Sequence, residues 1–407
     1  MRAPVLLWLA LAAGCSNLLD VDYPGRIPSE QLEDPNLAGM LVRSAVGDFE
    51  CAYNNYTGGT AVHSDEFETA GPASQGSVWG LRQVDANLVD YVTAGCEATT
   101  GQSSTFALHR PLQTARFQAE DISERLQGWS DAQVTGRTAL LATVRTYNAY
   151  AYTLFGETFC SVAFDGGAEQ TPAAVRAIAE QRFTEALALA QQANDQDLLN
   201  LARVGAARVK RDLGKWAEAA QLAAQVAAGY EKVASRGTET DRRWNKVFYH
   251  TNQQRNFTVG AAYRSMNDPR VAVVDAGRPT VNPNVALWVT TKYTALGNPI
   301  RLASYREAQL LQAEALAEQE QVGPAVAIVN ARRAGLGLAN LTAADRTSAV
   351  VAIVEERRRE LAFEGGHRLY DLLRKGTPWK QGANPFSGQP YGTTTCWPFP
   401  TNERNGA

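Results

Sequence analysis

The sequence predicts an all-α protein, a tetratricopeptide-like superhelix of helix pairs carrying two loop-rich insertions. Three observations carry that expectation. Apolar residues recur at helical spacing over residues 104–229 and again over 300–375. Within Leu198 to Gly229, small residues (Ala202, Ala206, Ala219, Ala223) sit between larger apolar ones, a pattern that lets antiparallel helices approach closely. The segments at about 52–102 and 235–298 are rich in Gly, Asn and other turn-forming residues and keep no period.

Ser29 is the expected N-cap of a first helix over about 30–50. The first insertion follows, with at most a short helix near Val84 to Tyr91. Helices are predicted at 104–127, 131–155, 171–193, 196–213 and 215–229. The turn Gly214-Lys215-Trp216, with Ala219 after it, has the Gly-x-aromatic-x-x-Ala spacing of a degenerate tetratricopeptide repeat. After the second insertion, Ile300 to Gln319 and Pro324 to Ala334 form another pair, with proline at a first helical position and Gly335 as the stop. A helix over roughly 343–364 takes Thr342-x-x-Asp345 as its capping box and Gly365 at its end. A shorter helix covers 366–375 before Gly376 and Pro378, and the tail to 407 reads as irregular.

A chain of 407 residues, 45% hydrophobic and 20% charged, has ample material for a core. Helix pairs alike on both sides of the insertions favour one domain over 15–407 above the two or three that length alone allows. A formal charge of −3 argues against a nucleic-acid partner, which needs clustered, unopposed cations. Arg357-Arg358-Arg359 does not reverse this. Glu355, Glu356 and Glu360 frame the run, which reads as a salt-bridged helix face.

Arg2 and the nine apolar residues Val5 to Ala13 read as a secretory signal over 1–14, too short for the ~20 residues that span a bilayer. Leu11-Ala12-Ala13-Gly14 before Cys15 resembles a bacterial lipobox. Cys15 is therefore the expected lipid anchor, tethering the mature chain to a membrane. Cys51, Cys96, Cys160 and Cys396 remain, an even number that suits two disulfides with three connectivities open. Cys51 with Cys96 is favoured because the two flank the first insertion, leaving Cys160 with Cys396.

The chain contains no G-x-S-x-G, no H-E-x-x-H, no P-loop and no C-x-x-C, and only four histidines. Neither catalysis nor a metal or cofactor is expected. His63, Asp65, Glu66 and Glu68 read as an exposed acidic loop in preference to a metal site or a hydrolase pair. The signal for binding is aromatic. Tyr53, Tyr56, Phe67 and Trp79 in the first insertion, and Trp288 and Tyr293 in the second, sit among polar residues without helical period. Rings beside amides, carboxylates and guanidinium groups hold sugars, the ring against C–H faces and the polar groups on hydroxyls. Trp79, Tyr56, Arg82, Trp288 and Tyr293 are the candidate ligand contacts. The competing expectation is that each ring pins its own loop.

Three segments near the C-terminus resemble the SusD/RagB family of nutrient-uptake outer-membrane lipoproteins: Pro299 to Ala315 (PIRLASYREAQLLQAEA), Val329 to Leu336 (VNARRAGL) and Glu356 to Arg374 (ERRRELAFEGGHRLYDLLR). The closing WPFPTNERN from Trp397 and the Ser16-Asn-Leu-Leu-Asp20 after the lipobox also look like that family. The resemblance implies tetratricopeptide-like pairs with the loop-rich segments packed on one side and forming the ligand face. It also implies non-catalytic capture of oligosaccharide or peptide at the cell surface, with transfer to a SusC-like TonB-dependent transporter. No ligand residue carries over, because the loop aromatics match no family motif. The alternative is a tetratricopeptide-like scaffold lipoprotein for envelope complexes, which would present its contacts on helices. Within the matched block, Glu360, Glu364, Arg368 and Asp371 are spaced to pair along and between helices, and Glu314 is expected to meet Arg332 or Arg333.

Overall fold

The computed structural model describes residues 29–71, 76–88, 91, 94–96, 106–376 and 378–404. Cys15 and the signal-like segment 1–14 lie outside them. Ten longer helices are present among the described residues: α1 (Ala38–His63), α2 (His109–Gly128), α3 (Arg137–Thr158), α4 (Pro172–Gln192), α5 (Gln196–Asp212), α6 (Trp216–Ala224), α7 (Tyr305–Glu318), α8 (Val322–Ala334), α9 (Arg346–Glu360) and α10 (His367–Lys375).

Side-chain caps set many of the starts. Thr171, Asp195 and Ser304 each accept a hydrogen bond from a backbone N–H in the first turn of α4, α5 and α7, satisfying donors that the helix itself leaves unpaired. The capping box of α9 is formed by Asp345 and Ser348, three residues beyond the predicted Thr342. Pro324 lies inside the first turn of α8, which begins at Val322.

Each helix packs on the next from α1 to α6, and α7 then packs on α6, α8 and α9. The superhelix therefore continues across the second insertion, whose two ends lie side by side. The antiparallel pairing of β2 (Glu231–Ala234) with β6 (Ile300–Ser304) forms its stem. Residues 300–304, predicted to be helical, are thus strand, and the helix starts only at Tyr305. Close approach within the superhelix depends on Gly205 of α5. A Cβ there would lie 2.2 Å from the Phe183 ring and 2.9 Å from that of Tyr150.

The first insertion differs most from its prediction. α1 runs on to His63, so residues 52–63 are helix and not loop. Every residue from Glu50 to His63 is buried, which removes the polar stripe that makes a helix legible. Its amides are satisfied inside. Asn54 donates to Trp244 O and accepts from Lys246 N, and Asn55 accepts from Ala107 N. A four-residue helix, Ser77–Gly80, stands ahead of the place predicted for one.

Both favoured disulfides are present, Cys51–Cys96 and Cys160–Cys396. The ion pairs of the C-terminal block differ from expectation. Glu314, wholly buried, faces α10 and binds Arg374 and Lys375. Arg332 takes Glu360 instead, at 2.9 Å, and Arg333 takes Glu356, at 2.5 Å. The arginine run is salt-bridged as expected, although α10 packs on α9 and takes Arg357 out of solvent. Arg357 is buried against Asp371 at 3.3 Å, while Arg359 does pair with Glu355 at 3.0 Å. No helix among the described residues is long and apolar enough to cross a membrane.

Candidate ligand-binding face

The two insertions meet through strands. β1 (Phe67–Thr69) of the first pairs antiparallel with β3 (Phe257–Val259) of the second, Phe67 opposite Val259. Thr258 Oγ1 donates to Ala286 O at 3.1 Å and accepts from Trp288 N at 2.8 Å, joining β3 to β5 (Ala286–Thr290). β5 pairs in turn with β4 (Val273–Pro279), placing Asp275 opposite Trp288.

Trp288 is half-buried in β5, its backbone held from below by Thr258. The Arg264 guanidinium carbon lies 5.7 Å from the centre of its ring and 6.0 Å from that of Phe386. Arg264 Nε donates to Val259 O at 2.6 Å, while its Nη2 has no hydrogen-bond partner among the described residues. Burial lowers the pKa of Arg264, and the nearby carboxylates of Glu68 and Asp275 oppose that shift. Glu68 accepts from Tyr391 Oη at 2.8 Å and Asn384 Nδ2 at 3.4 Å, with Lys380 Nζ at 3.7 Å. Aromatic faces thus stand beside a carboxylate, a phenol and a guanidinium, with the buried Asn384 amide bracing Glu68 from within. That combination suits a ligand with alternating C–H faces and hydroxyls.

A second ring pair lies nearer the start of the same insertion. Trp244 and Tyr249, both half-buried, have centroids 5.2 Å apart, with Lys246 Nζ 5.7 Å from the Tyr249 ring. Gln254 Nε2 donates to Tyr249 Oη at 3.1 Å, and Gln253 and Gln254 are exposed alongside.

Of the five residues expected to touch ligand, only Trp288 belongs to this face. Trp79 is fully buried, edge-on to Phe106 at 5.8 Å and Trp397 at 5.7 Å. Tyr56, on α1, is sealed against Trp397 at 5.9 Å. Tyr293 is buried with its hydroxyl donating to Phe363 O at 3.1 Å. These three rings form the interior of the insertions and cannot reach a ligand. Arg82 is buried too, donating to Thr394 O at 3.2 Å and Lys380 O at 2.9 Å and lying 5.0 Å from the Trp379 ring. It fastens the C-terminal tail beneath the face. The cause is general: a loop-rich insertion of this size needs its own core, and aromatic rings supply the most buried area per residue.

The tail read as irregular contributes Phe386, Tyr391 and Asn384, none of which was expected to contribute. The signal that points to them is the run from Trp379 to Tyr391, which repeats the aromatic, Gly- and Asn-rich texture of the insertions. The segment read as an exposed acidic loop is also different. His63 and Glu66 are buried, and Asp65 is paired with Arg368. Burial brings the His63 imidazole down to about 3, and pushes the Glu66 carboxyl up to about 7 although Phe363 N donates to it. No trio of His, Cys, Asp or Glu side chains among the described residues is arranged to hold a metal ion.

Residues 284–397 match the family model described as SusD family. No curated protein matches the chain in sequence. Solved structures match nearly all of it. A SusD homolog from Bacteroides thetaiotaomicron VPI-5482 superposes with a TM-score of 0.68 at 16% identity, over 93% of this chain and 97% of that one. A surface glycan-binding protein A from Bacteroides uniformis gives 0.64 at 12% identity, over 91% and 98%. A laminarin binding SusD-like protein gives 0.60 at 16%, over 91% and 97%. The chain therefore has the fold of the SusD-like proteins, and over residues 284–397 the sequence pattern of the SusD family.

Proposed function

We propose that this protein captures oligosaccharide without transforming it, and passes it to a TonB-dependent transporter of the outer membrane. The observation that carries the reading is the stack of Trp288, Arg264 and Phe386 beside Glu68 and Tyr391. Trp288 stands on the second insertion and Phe386 and Tyr391 on the C-terminal tail, all off the long helices, as a nutrient binder requires; an assembly scaffold would present its contacts on the helices. Two of the proteins that share the fold are named for binding laminarin or surface glycan, which supports a glycan over a peptide. Lipid on Cys15 would hold the protein at the cell surface, with the face turned toward incoming ligand.

An array of oligosaccharides and peptides probed with the mature protein tests the ligand class. The expected result is binding confined to glycans; binding confined to peptides overturns the glycan reading. Affinity purification from native outer membranes tests the handover, with a TonB-dependent barrel as the expected co-purifying protein. Recovery of soluble chaperones alone counts against it.

A further inference from the structure

The start of α2, the loop at 163–167 after α3 and the C-terminal residues 399–403 enclose a cleft of about 600 Å³. That lies within the roughly 300–1,000 Å³ of small-ligand sites. None of the residues of the face described above lines it. Its walls are fixed. The Cys160–Cys396 disulfide ties the end of α3 to the C-terminal wall, where Cys160 N also donates to Trp397 O at 2.9 Å. Arg116 donates to both carboxylate oxygens of Asp165, at 2.6 and 2.7 Å, and holds that residue at a φ of 54°. Gln113 Nε2 donates to Ala163 O at 2.9 Å.

The cleft is lined by one open ring and by side chains that carry unpartnered polar atoms. Phe117 is 51% exposed there. Gln113 Oε1 is buried with no hydrogen bond among the described residues. His109 is 1% exposed, and neither of its ring nitrogens makes a hydrogen bond among the described residues; the Glu403 carboxylate lies 3.9 Å from Nδ1. Burial takes this imidazole down to about 4, so at neutral pH it offers one donor and one acceptor. Leaving such groups unpaired is costly, and a bound molecule would satisfy them.

We propose that this cleft is a second ligand site, for one or two residues of a neutral sugar, separate from the face carrying Trp288. The proposal rests on the glycan reading given above. Charge does not favour an ion. The lining carries Arg110 and Arg116 against Asp165 and Glu403, and Arg116 is committed to Asp165 and Glu120, so the wall has no excess of either sign. An exposed ring flanked by Gln113, Gln118 and Asn402 instead matches a sugar's C–H face and hydroxyls.

Hydroxyl-radical footprinting with laminarihexaose, maltohexaose, cellohexaose and xylohexaose at millimolar concentration reads both sites at once, through oxidation of Phe117 and of Trp288. The expected result is a several-fold drop in Phe117 oxidation with at least one of the four. Trp288→Ala should leave that drop intact, and Gln113→Ala or Gln118→Ala should abolish it. Unchanged Phe117 oxidation with all four sugars overturns the proposal, as does a drop that disappears in Trp288→Ala. Protection of Trp288 alone would leave the glycan reading standing and remove the second site. Protection of Phe117 alone would do the reverse for the Trp288 face.

Discussion

Arg368 grips Asp65 with two parallel hydrogen bonds, Nε to Oδ1 at 2.6 Å and Nη2 to Oδ2 at 2.7 Å, across 303 residues of chain. Burial raises the Asp65 pKa, and Arg368 and Arg358 outweigh it to hold the carboxyl below its usual range. Asp65 leads directly into β1, and β1 pairs with the strand that anchors Trp288 through Thr258. The family-like block at Glu356 to Arg374 is thus a foundation for the candidate ligand face, although none of its residues stands in that face.

Arg368→Ala is therefore expected to lower stability and glycan affinity together. Removing one partner of a largely buried pair typically costs ~3–5 kcal/mol. Arg368→Lys, which keeps the charge but loses the two-pronged geometry, should recover only part of the melting temperature. Denaturant titration beside binding titration checks this. Affinity lost at wild-type stability would place Arg368 at the ligand.

Glu66 gives a pH test with a definite sign. Its folded pKa of about 7 exceeds the unfolded value of 4.5, because burial disfavours the carboxylate. The folded state therefore holds the proton more tightly. Its contribution to stability is complete below about 4.5 and is lost as pH rises through about 7. Glu66→Gln keeps an oxygen to accept from Phe363 N and removes the titration. The variant should gain stability on the wild type as pH rises from 5 to 8. The gain is on the order of a few kcal/mol, since each tenfold difference in proton affinity is worth ~1.4 kcal/mol. Parallel melting curves across that range would refute the assignment.

Gly205→Ala tests the close approach of α5 to α3 and α4. Alanine improves helix propensity by ~1 kcal/mol, but overpacking a filled core typically costs ~1–3 kcal/mol. With a Cβ 2.2 Å from the Phe183 ring, the clash should win and the melting temperature should fall. The paired variant Phe183→Leu, Gly205→Ala should recover part of the loss, as read by calorimetry.

The helical scaffold was legible because helices such as α2, α4, α6 and α8 expose one side and bury the other, leaving a period in the sequence. α1 beyond residue 51 was not legible, because it is buried on every side and filled with Asn, Thr and Gly, residues that signal turns. The disulfides followed from cysteine number and from the insertion that Cys51 and Cys96 flank. The candidate ligand face was legible only as a texture. Aromatics without period marked the insertion that carries Trp288 but not the tail that carries Phe386 and Tyr391, and core rings such as Trp79 share that texture with half-buried rings such as Trp288. What separates them is tertiary: Trp79 meets Phe106 and Trp397, whereas Trp288 meets Arg264 and open solvent. Glu314 shows the same limit. Its charge demanded a partner, but only the packing of α10 on α7 selected Arg374 over Arg332.

The most direct test of a glycan-binding face on the insertions is calorimetric titration of the tightest array glycan into three proteins: wild type, Trp288→Ala and Trp79→Phe. Trp288→Ala should bind at least about tenfold more weakly, ~1.4 kcal/mol, while keeping a near-wild-type melting temperature. Trp79→Phe should melt lower and bind as the wild type does, since its ring is sealed in the core. Normal binding by Trp288→Ala, or lost binding by a fully folded Trp79→Phe, would contradict the account.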